Sequence, residues 1–223
     1  MVSRKKNGMT PRPVARPVTV AMSRIWITAE QCISVEVMQE QVKGGIAPPA
    51  YVGLGGNVGD VRATFGRAVE LLRALAGVTC VRESSLWDTE PQGQVREQLP
   101  FLNACVEVHF AAGHEPTPAA LLAALLEIER ALGRDRNAEI CGGPRSIDLD
   151  LLVWGERLVE ETGPPAVRIP HPRLGGRAFA LAPLVELAGE DLVIVGPGGG
   201  RADALLKQAL SSQLVRKILT SSR

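Results

Sequence analysis

The stretch Phe101–Phe110, with the sequence FLNACVEVHF, decides the fold because it alternates as a long β-strand does. Every second residue from Leu102 onwards is apolar, so this face of the strand is expected to lie in the core. The opposite face carries Phe101, Asn103, Cys105, Glu107 and His109. An exposed Phe beside an Asn on this more polar face indicates a binding surface. We expect His109, at the far end, at the protein surface.

The segments around this strand predict further strands mixed with helices. Asp60 is placed to cap a helix that starts at Val61, and Thr117 followed by Pro118 is typical of a second helix start. Residues 146–154 form another strand-like run. Since strands and helices follow one another without a strict strand–helix–strand rhythm, we expect an α+β fold with a mainly antiparallel sheet.

The 223 residues divide, in our interpretation, into an extension at 1–49, one domain at 50–210 and a C-terminal tail at 211–223. The first 29 residues contain no acidic residue and carry several prolines. Such a composition is typical of a disordered or targeting-like extension. A translation start at Met22 or Met38 explains it equally well.

Charge and composition exclude several classes of protein. The formal net charge is +1, which argues against a chain-wide affinity for nucleic acid or membranes. The chain has five lysines, and none lies between Gly44 and Leu206. Mechanisms that need a lysine in this stretch, such as a P-loop or a Schiff base, are therefore excluded. The apolar runs are also shorter than the roughly 18 residues of a membrane span.

Cysteines and glycines add two further expectations. The four cysteines are scattered, without a CxxC pair or a secretory signal, which indicates a reducing compartment and a cytoplasmic protein. The glycine-rich stretch Gly53–Asn57 matches neither a dinucleotide-binding fingerprint nor a P-loop. We therefore predict a tight turn at this position.

Two carboxylates stand out in the stretch 143–152, GPRSIDLDLL. Asp148 and Asp150 are two residues apart on a strand, so both side chains lie on one face and repel each other unless a cation lies between them. Mg²⁺ is such a cation, because it prefers one or two carboxylates together with water and phosphate oxygens. For an isolated DxD motif, a solvent-facing acidic pair bridged by arginine is the alternative.

Arginines close to this pair in the sequence indicate phosphate binding. Arg134 and Arg136 follow a predicted helix, and Arg145 comes just before the acidic strand. Arginine offers planar, bidentate contacts to phosphate, so a metal-bound polyphosphate fits the grouping. Taken alone, the loop arginines are equally well explained as solvated charges. His171 lies between two prolines, with Arg177 six residues later, and is either a rigidly held functional residue or a structural one.

The stretch GPRSIDLDLL resembles the signature of the 6-hydroxymethyl-7,8-dihydropterin pyrophosphokinases, a family of folate-biosynthesis enzymes. The resemblance covers about residues 50–188 and includes, in the family's order, YVGLGGN, SSLWDTEP, FLNACVEV, LLEIERALGRDR and IPHPRLGGRAFALAPLVELA. It implies a ferredoxin-like three-layer α/β sandwich. It also implies transfer of a pyrophosphoryl group from ATP to the pterin hydroxymethyl oxygen, with release of AMP and with two Mg²⁺ ions.

The resemblance assigns roles to particular residues. Asp148 and Asp150 are implied as ligands of both Mg²⁺ ions. The implied catalytic arginines are Arg134 and Arg136, on a mobile loop, and Arg145. The residues implied near the nucleotide are Glu129, His171 and Arg177. Those implied around the pterin are Thr89, Pro91, Phe101, Asn103 and Phe179, with the two phenylalanines stacking on its two faces.

The sequence departs from the family pattern at a few positions, and alternatives to an active pyrophosphokinase follow. Leu126 replaces a frequent Gln, Ile140–Gly142 replace a loop end where some members have a Trp, and Pro172 replaces an aromatic residue, which leaves nucleotide affinity open. One alternative is a binding module without catalysis, which the retained acidic pair and arginines disfavour. The other is a different Mg²⁺-dependent nucleotidyl or phosphoryl transferase, which the aromatic pair with Asn103 disfavours. We expect a monomer that binds small molecules only.

Overall fold

The structure is a computed structural model that describes residues 47–92, 95, 97–136, 138–140 and 142–219. Its elements are, in chain order, β1 (Ala50–Gly56), α1 (Val61–Arg73), β2 (Val78–Glu83), β3 (Trp87–Thr89), β4 (Phe101–Phe110), α2 (Pro118–Ala131), β5 (Asp148–Trp154), β6 (Val159–Glu161), β7 (Val167–Ile169), α3 (Ala178–Ala188), β8 (Val193–Ile194), β9 (Gly200–Arg201), α4 (Ala202–Leu210) and β10 (Val215–Lys217). The expected extension lies outside the described residues, apart from its last three. No described helix is both long and apolar enough to cross a membrane.

The main sheet has six strands and is antiparallel throughout. Its order is β10-β3-β4-β1-β5. Strand β2 shares with β3 the edge of β4 that faces away from β1, and each of the two pairs with one half of that edge. The elements β1, α1, β2, β4, α2 and β5 follow the βαββαβ order of a ferredoxin-like fold. The expected α+β class with a mainly antiparallel sheet is confirmed.

Helices cover both faces of this sheet and create two cores. The first core joins the sheet to α1 and α2, and the second joins it to α3 and α4. The expectation of an exposed Phe101 beside Asn103 was therefore wrong, since their side of β4 is covered too. Phe101 is 7% exposed and Asn103 is 5% exposed. Helix α3 packs on this side of β4, which sequence alternation along β4 alone does not reveal.

Both predicted helix starts are confirmed. The carboxylate of Asp60 accepts a hydrogen bond from the Ala63 amide at 3.0 Å, and α1 begins at the next residue. The Thr117 hydroxyl accepts one from the Ala120 amide at 3.2 Å. These caps satisfy amide groups that have no partner within the helix.

The glycine-rich stretch lies inside strand β1, and the predicted tight turn was wrong. A side chain at Gly56 would approach the Ser146 carbonyl oxygen to 2.7 Å, and one at Gly55 would approach the Asn103 Oδ1 to 3.2 Å. The glycines thus allow close approach across the sheet, which sequence reading cannot distinguish from the backbone freedom of a turn.

The sheet extends past residue 210, where the sequence analysis placed the end of the domain. Strand β10 pairs with β3, and Gln213 accepts a hydrogen bond from the Ala178 amide at 2.9 Å, at the start of α3. Most of β10 is exposed and polar, so its sequence lacks the apolar pattern that marks a strand. Residues 211–219 therefore support the strand and the helix that border the site described below.

Candidate active site

Strand β5 presents Asp148 and Asp150 on one face, as predicted. Leu149 and Leu151 point the opposite way and are buried in the first core. The Asp148 side chain is 18% exposed and that of Asp150 is 34% exposed. The apolar side of the strand therefore fixes the two carboxylates at the mouth of a cleft.

The two carboxylates differ in their electrostatic surroundings. Burial raises the pKa of Asp148, but the positive charges of Arg145 and Arg134 outweigh it, and the net pKa lies below the usual value. Burial and the negative charge of Asp148 raise the pKa of Asp150 above its usual value. A further cation beside Asp150 would counteract both the burial and the negative charge of Asp148, and would lower the pKa of Asp150.

Four predicted arginines converge on this pair. Arg134 forms a close ion pair with Asp148, and the Arg145 Nη2 lies 3.2 Å from the Asp148 Oδ2. The Arg136 Nη2 is 3.5 Å from the Asp148 Oδ1. Arg177 reaches the other carboxylate, with its Nη1 3.5 Å from the Asp150 Oδ2. The expected grouping of cations around the acidic strand is thus present.

The buried carboxylate of Glu129 binds both loop arginines, Arg134 and Arg136. Its side chain is 1% exposed and accepts hydrogen bonds from Arg134 at 2.8 Å and from Arg136 at 2.7 and 2.8 Å. It also accepts one from the Leu149 amide of β5, at 2.7 Å. In this arrangement the hydrogen-bonding capacity of the Glu129 carboxylate is used by protein donors. Its influence on a nucleotide would therefore act through the two arginines.

Arg145 lies between the acidic pair and an aromatic ring. Its guanidinium carbon is 4.9 Å from the centre of the Phe101 ring, a cation–π distance. Its Nε is buried and has no hydrogen-bond partner among the described residues. A buried donor without an acceptor is costly, so this atom marks a place for an acceptor such as a phosphate oxygen.

Of the residues expected around a pterin, Thr89 lies on β3, Phe101 and Asn103 on β4 and Phe179 on α3, and only Asn103 and Phe179 line the cleft beside the acidic pair. The Asn103 Nδ2 donates to the Thr89 hydroxyl at 2.8 Å. Phe179 is half-buried at the start of α3, and the Arg177 guanidinium carbon lies 5.4 Å from its ring centre. Pro91 follows β3 and is half-buried, just before two undescribed residues. A narrow cleft brings together Gly55, Asn103, Arg145, Asp148, Asp150 and Phe179.

His171 is held by two hydrogen bonds to the backbone. Its amide donates to the Leu152 carbonyl at 2.8 Å, and its Nδ1 accepts from the Arg173 amide at 3.2 Å. Burial and the positive charges of Arg177 and Arg173 lower its pKa to about 4. The imidazole is therefore neutral near pH 7 and offers Nε2 as a hydrogen-bonding atom.

Sequence reasoning missed two residues that organise the site. Asn57 is 6% exposed, and its Oδ1 accepts from the Arg145 amide at 2.9 Å. Glu139 accepts from the Arg134 Nε at 2.9 Å. Neither residue belongs to a regular pattern of charge or hydropathy, so only its position in space reveals it.

The donor set fits Mg²⁺. Two carboxylates on one strand face, with no third carboxylate or imidazole grouped as a metal site among the described residues, match a metal that takes its other ligands from water and phosphate. The arginine charges at Asp148 show that this position requires positive charge.

Comparisons with known proteins identify the family of this chain. A family model described as "7,8-dihydro-6-hydroxymethylpterin-pyrophosphokinase (HPPK)" matches residues 51–189. The chain is 39% identical to the 2-amino-4-hydroxy-6-hydroxymethyldihydropteridine pyrophosphokinase of Bacillus subtilis, over 62% of this chain and 77% of that protein. It is 43% identical to the protein of the same name from Methylorubrum extorquens, over 66% of this chain and 86% of the relative.

Solved structures support the fold. The HPPK-DHPS of Plasmodium falciparum, crystallised with STZ-DHP, superimposes with a TM-score of 0.54 at 13% identity. The match covers 78% of this chain and 46% of the solved one, so this chain spans less than half of that larger protein. Together with the match at residues 51–189, the relatives show that the chain belongs to the 7,8-dihydro-6-hydroxymethylpterin-pyrophosphokinase family.

Proposed function

We propose that this protein transfers a pyrophosphoryl group from ATP to the hydroxymethyl oxygen of 6-hydroxymethyl-7,8-dihydropterin and releases AMP, with Mg²⁺ as the metal. The observation that carries the proposal is the acidic pair Asp148 and Asp150 beside the cleft that contains Asn103 and Phe179. One cleft thereby brings the implied metal ligands next to Asn103 and Phe179. It is too narrow for a heterocycle in this structure, so the pterin would enter only when Arg145 and Arg177 turn away from the two phenylalanine rings. Family membership supports the choice of the pterin as acceptor.

The nucleotide phosphates occupy, in this proposal, the space beside Arg145 and Arg177. The unpartnered Nε of Arg145 gains an acceptor when a phosphate oxygen lies next to it. Neutral His171 contributes a hydrogen bond without adding a charge that would compete with the metal. Arg177, whose Nη1 lies 3.5 Å from the Asp150 Oδ2, would turn from this carboxylate towards the phosphates.

Two Mg²⁺ ions held by Asp148 and Asp150 would neutralise phosphate oxygens and polarise the attacking hydroxyl. Arg134 and Arg145 occupy the same carboxylate, Asp148, in the present structure. If Asp148 held a metal ion, the guanidinium groups of Arg134 and Arg145 would be released from this carboxylate and would be available to the phosphates. The Asp148 carboxylate would thus pair with the arginines in the absence of a metal and with the metal when it is bound.

The pterin is held by stacking and by hydrogen bonds. Phe101 and Phe179 each lie under an arginine in this structure, at 4.9 and 5.4 Å. Removal of Arg145 and Arg177 towards phosphate exposes both rings to a heterocycle, and such stacking is favourable for flat molecules. Asn103 presents its amide at the edge of this space, and Thr89 fixes its orientation at 2.8 Å.

The reaction then joins the pterin hydroxyl oxygen to the β-phosphorus of ATP. The bond between this phosphorus and the oxygen bridging to the α-phosphorus breaks, AMP leaves with that oxygen, and the hydroxyl proton passes to water. Attack at the β-phosphorus instead of the γ-phosphorus is a matter of how the two substrates are positioned. Arg134 and Arg136 lie where they stabilise charge on the transferred group.

The decisive experiment is incubation of the purified protein with ATP, Mg²⁺ and 6-hydroxymethyl-7,8-dihydropterin, followed by separation of the nucleotides. We expect AMP and a pterin diphosphate in equal amounts, and no turnover when Mg²⁺ is replaced by EDTA. Formation of ADP instead of AMP, or nucleotide turnover that does not depend on the pterin, would contradict the proposal.

A monomer in the cytoplasm completes the proposal. A reducing compartment suits the scattered cysteines, and the site described above is assembled within one chain. Light scattering coupled to size-exclusion chromatography is expected to give the mass of one chain, about 24 kDa. A mass of twice this value at the concentrations used in the assay would contradict it.

A further inference from the structure

The loop that precedes Phe101 and the loop that carries the catalytic arginines are joined by side chains that no role above explains. The first loop runs from residue 90 to 100, and the second from 132 to 147. We propose that Asn57 and Gln98 form a hydrogen-bonded bridge between these loops and act as positioning residues for the transfer reaction. The inference rests on the proposed function, since that function requires the two loops to bring two substrates together.

Asn57 grips the backbone of Arg145 from both sides. Its backbone N–H donates to the Arg145 carbonyl at 2.9 Å, and its side-chain Oδ1 accepts from the Arg145 backbone amide at 2.9 Å. The side chain is nearly inaccessible to solvent. The position of the Arg145 backbone, and with it the guanidinium over Phe101, therefore depends directly on Asn57.

The other end of the Asn57 side chain holds the first loop. Its Nδ2 donates to the Gln98 Oε1 at 3.1 Å and to the Leu99 carbonyl at 2.9 Å. The amide thus uses both hydrogens and its oxygen at once. No other side chain of similar size offers two donors and one acceptor in this arrangement.

Gln98 extends the bridge to the second loop. Its Nε2 donates to the Val95 carbonyl at 2.6 Å, within its own loop, and to the Gly142 carbonyl at 3.0 Å. Gly142 lies three residues before Arg145 in sequence, and Gln98 lies three residues before Phe101. The bridge therefore ties the phosphate-binding arginine and the pterin-binding aromatic to one pair of amides.

A fixed separation of these two groups matters more for the reaction than for binding of either substrate. The pterin and the nucleotide each keep their own contacts if the loops move apart. The line from the hydroxyl oxygen to the β-phosphorus, however, depends on both loops together, and a displacement of about 1 Å can lower the rate about 100-fold. Loss of the bridge is thus expected to lower kcat and to leave both KM values nearly unchanged.

The test compares Gln98→Ala, Asn57→Ala and the double variant with Gln208→Ala as the matched control. Gln208 is an exposed glutamine on α4, away from the site. We expect Gln98→Ala to lower kcat about tenfold, with each KM changed by less than about threefold. Because both residues act through one bridge, the double variant should be no slower than Asn57→Ala. Gln208→Ala should keep the wild-type kcat.

A second measurement needs no turnover and separates this proposal from the proposed function. Hydrogen exchange of the Arg145 amide, measured by NMR, is expected to accelerate in Gln98→Ala, although Gln98 does not touch that amide. Unchanged exchange at Arg145 overturns the bridge. So does a Gln98→Ala enzyme with wild-type kcat, a rise in KM alone, or additive losses in the double variant. Exchange that accelerates in a protein without AMP formation supports the bridge and refutes the proposed function.

Discussion

Two acidic positions, buried Glu107 and half-buried Asp150, lie on the same face of the main sheet, on the two strands that flank β1. Strand β1 runs between them, with Tyr51 opposite Glu107 and with Gly53 opposite Asp150. Glu107 accepts from Arg82 at 2.7 Å and lies 2.9 Å from the His109 Nε2, so this histidine is not the surface residue we expected. Within the described part of the chain, Asp150 has one ion pair, at 3.5 Å.

The difference between these two positions shows what makes a charged residue part of a binding site. Glu107 has close partners from neighbouring strand positions, and its side chain is 6% exposed. Asp150 has a like-charged neighbour in Asp148 and is 34% exposed. A carboxylate with close, oppositely charged partners is compatible with a stable fold. A carboxylate without enough positive charge around it lowers the stability of the folded state and can still bind a cation.

The largest expected effect is on activity, and it distinguishes the acidic pair from Glu107. Asp148→Asn and Asp150→Asn should each lower the rate of AMP formation by about 1,000-fold or more, because phosphate charge is no longer neutralised at the cleft. Glu107→Gln, the matched change at the other acidic position, should alter the rate by less than about threefold. Equal losses in all three variants would break the comparison.

The next largest expected effect is stabilisation of the protein by a bound nucleotide. At about 100 times its Kd, α,β-methylene-ATP with Mg²⁺ should raise the free energy of unfolding by about 2.7 kcal/mol. Mg²⁺ alone should give a much smaller increase, because arginines already balance Asp148. In Asp150→Asn the Mg²⁺-dependent part of the nucleotide effect should disappear. Thermal unfolding with and without EDTA measures each of these values, and an undiminished effect in the variant would refute the metal role of Asp150.

The stability of the protein without ligand should change in opposite directions when Glu107 and Asp150 are substituted. Glu107→Gln leaves Arg82 without its counter-charge and should lower the free energy of unfolding by about 1–2 kcal/mol. Asp150→Asn removes the repulsion from Asp148 and should leave stability unchanged or raise it by up to about 1 kcal/mol. Urea unfolding of both variants tests this contrast. Destabilisation of Asp150→Asn as large as that of Glu107→Gln would remove it.

The smallest expected effect is a pH dependence at the site. Burial and neighbouring arginines lower the pKa of His171 from 6.5 to about 4. Between these values the unfolded chain binds more protons than the folded one, so stability rises with pH from about 4 to 6.5. His171→Gln should flatten this rise by about 1 kcal/mol, given the partial exposure of the ring. The comparison is urea unfolding at pH 4.5 and 6.5; equal slopes in both proteins would contradict the prediction.

The core and the acidic pair were predictable because they depend on local periodicity. The alternation of Phe101–Phe110 and the opposed faces of β5 follow from the pleat of a strand, and both are present. The caps at Asp60 and Thr117 depend on residues three positions apart. The roles of Pro91 and of the two phenylalanines towards a pterin stay predictions.

The features that sequence reading missed depend on contacts between distant segments. Burial of Phe101 and Asn103 requires α3, and the end of the domain requires β10 to find β3. The bridge from Asn57 to Gln98 joins residues 41 positions apart. No periodic pattern encodes such pairings, since each depends on the path of the chain through space.

The sequence by itself determined the α+β class, the alternating strand at 101–110, and the family resemblance carried by GPRSIDLDLL. Short-range stereochemistry and apolar alternation suffice for the first two. Only the tertiary structure decided which arginines reach Asp148, that Glu129 is saturated, and that the glycines of β1 make room for the cleft. These facts depend on distances between residues that are far apart in the sequence, and such distances are defined only in the folded chain.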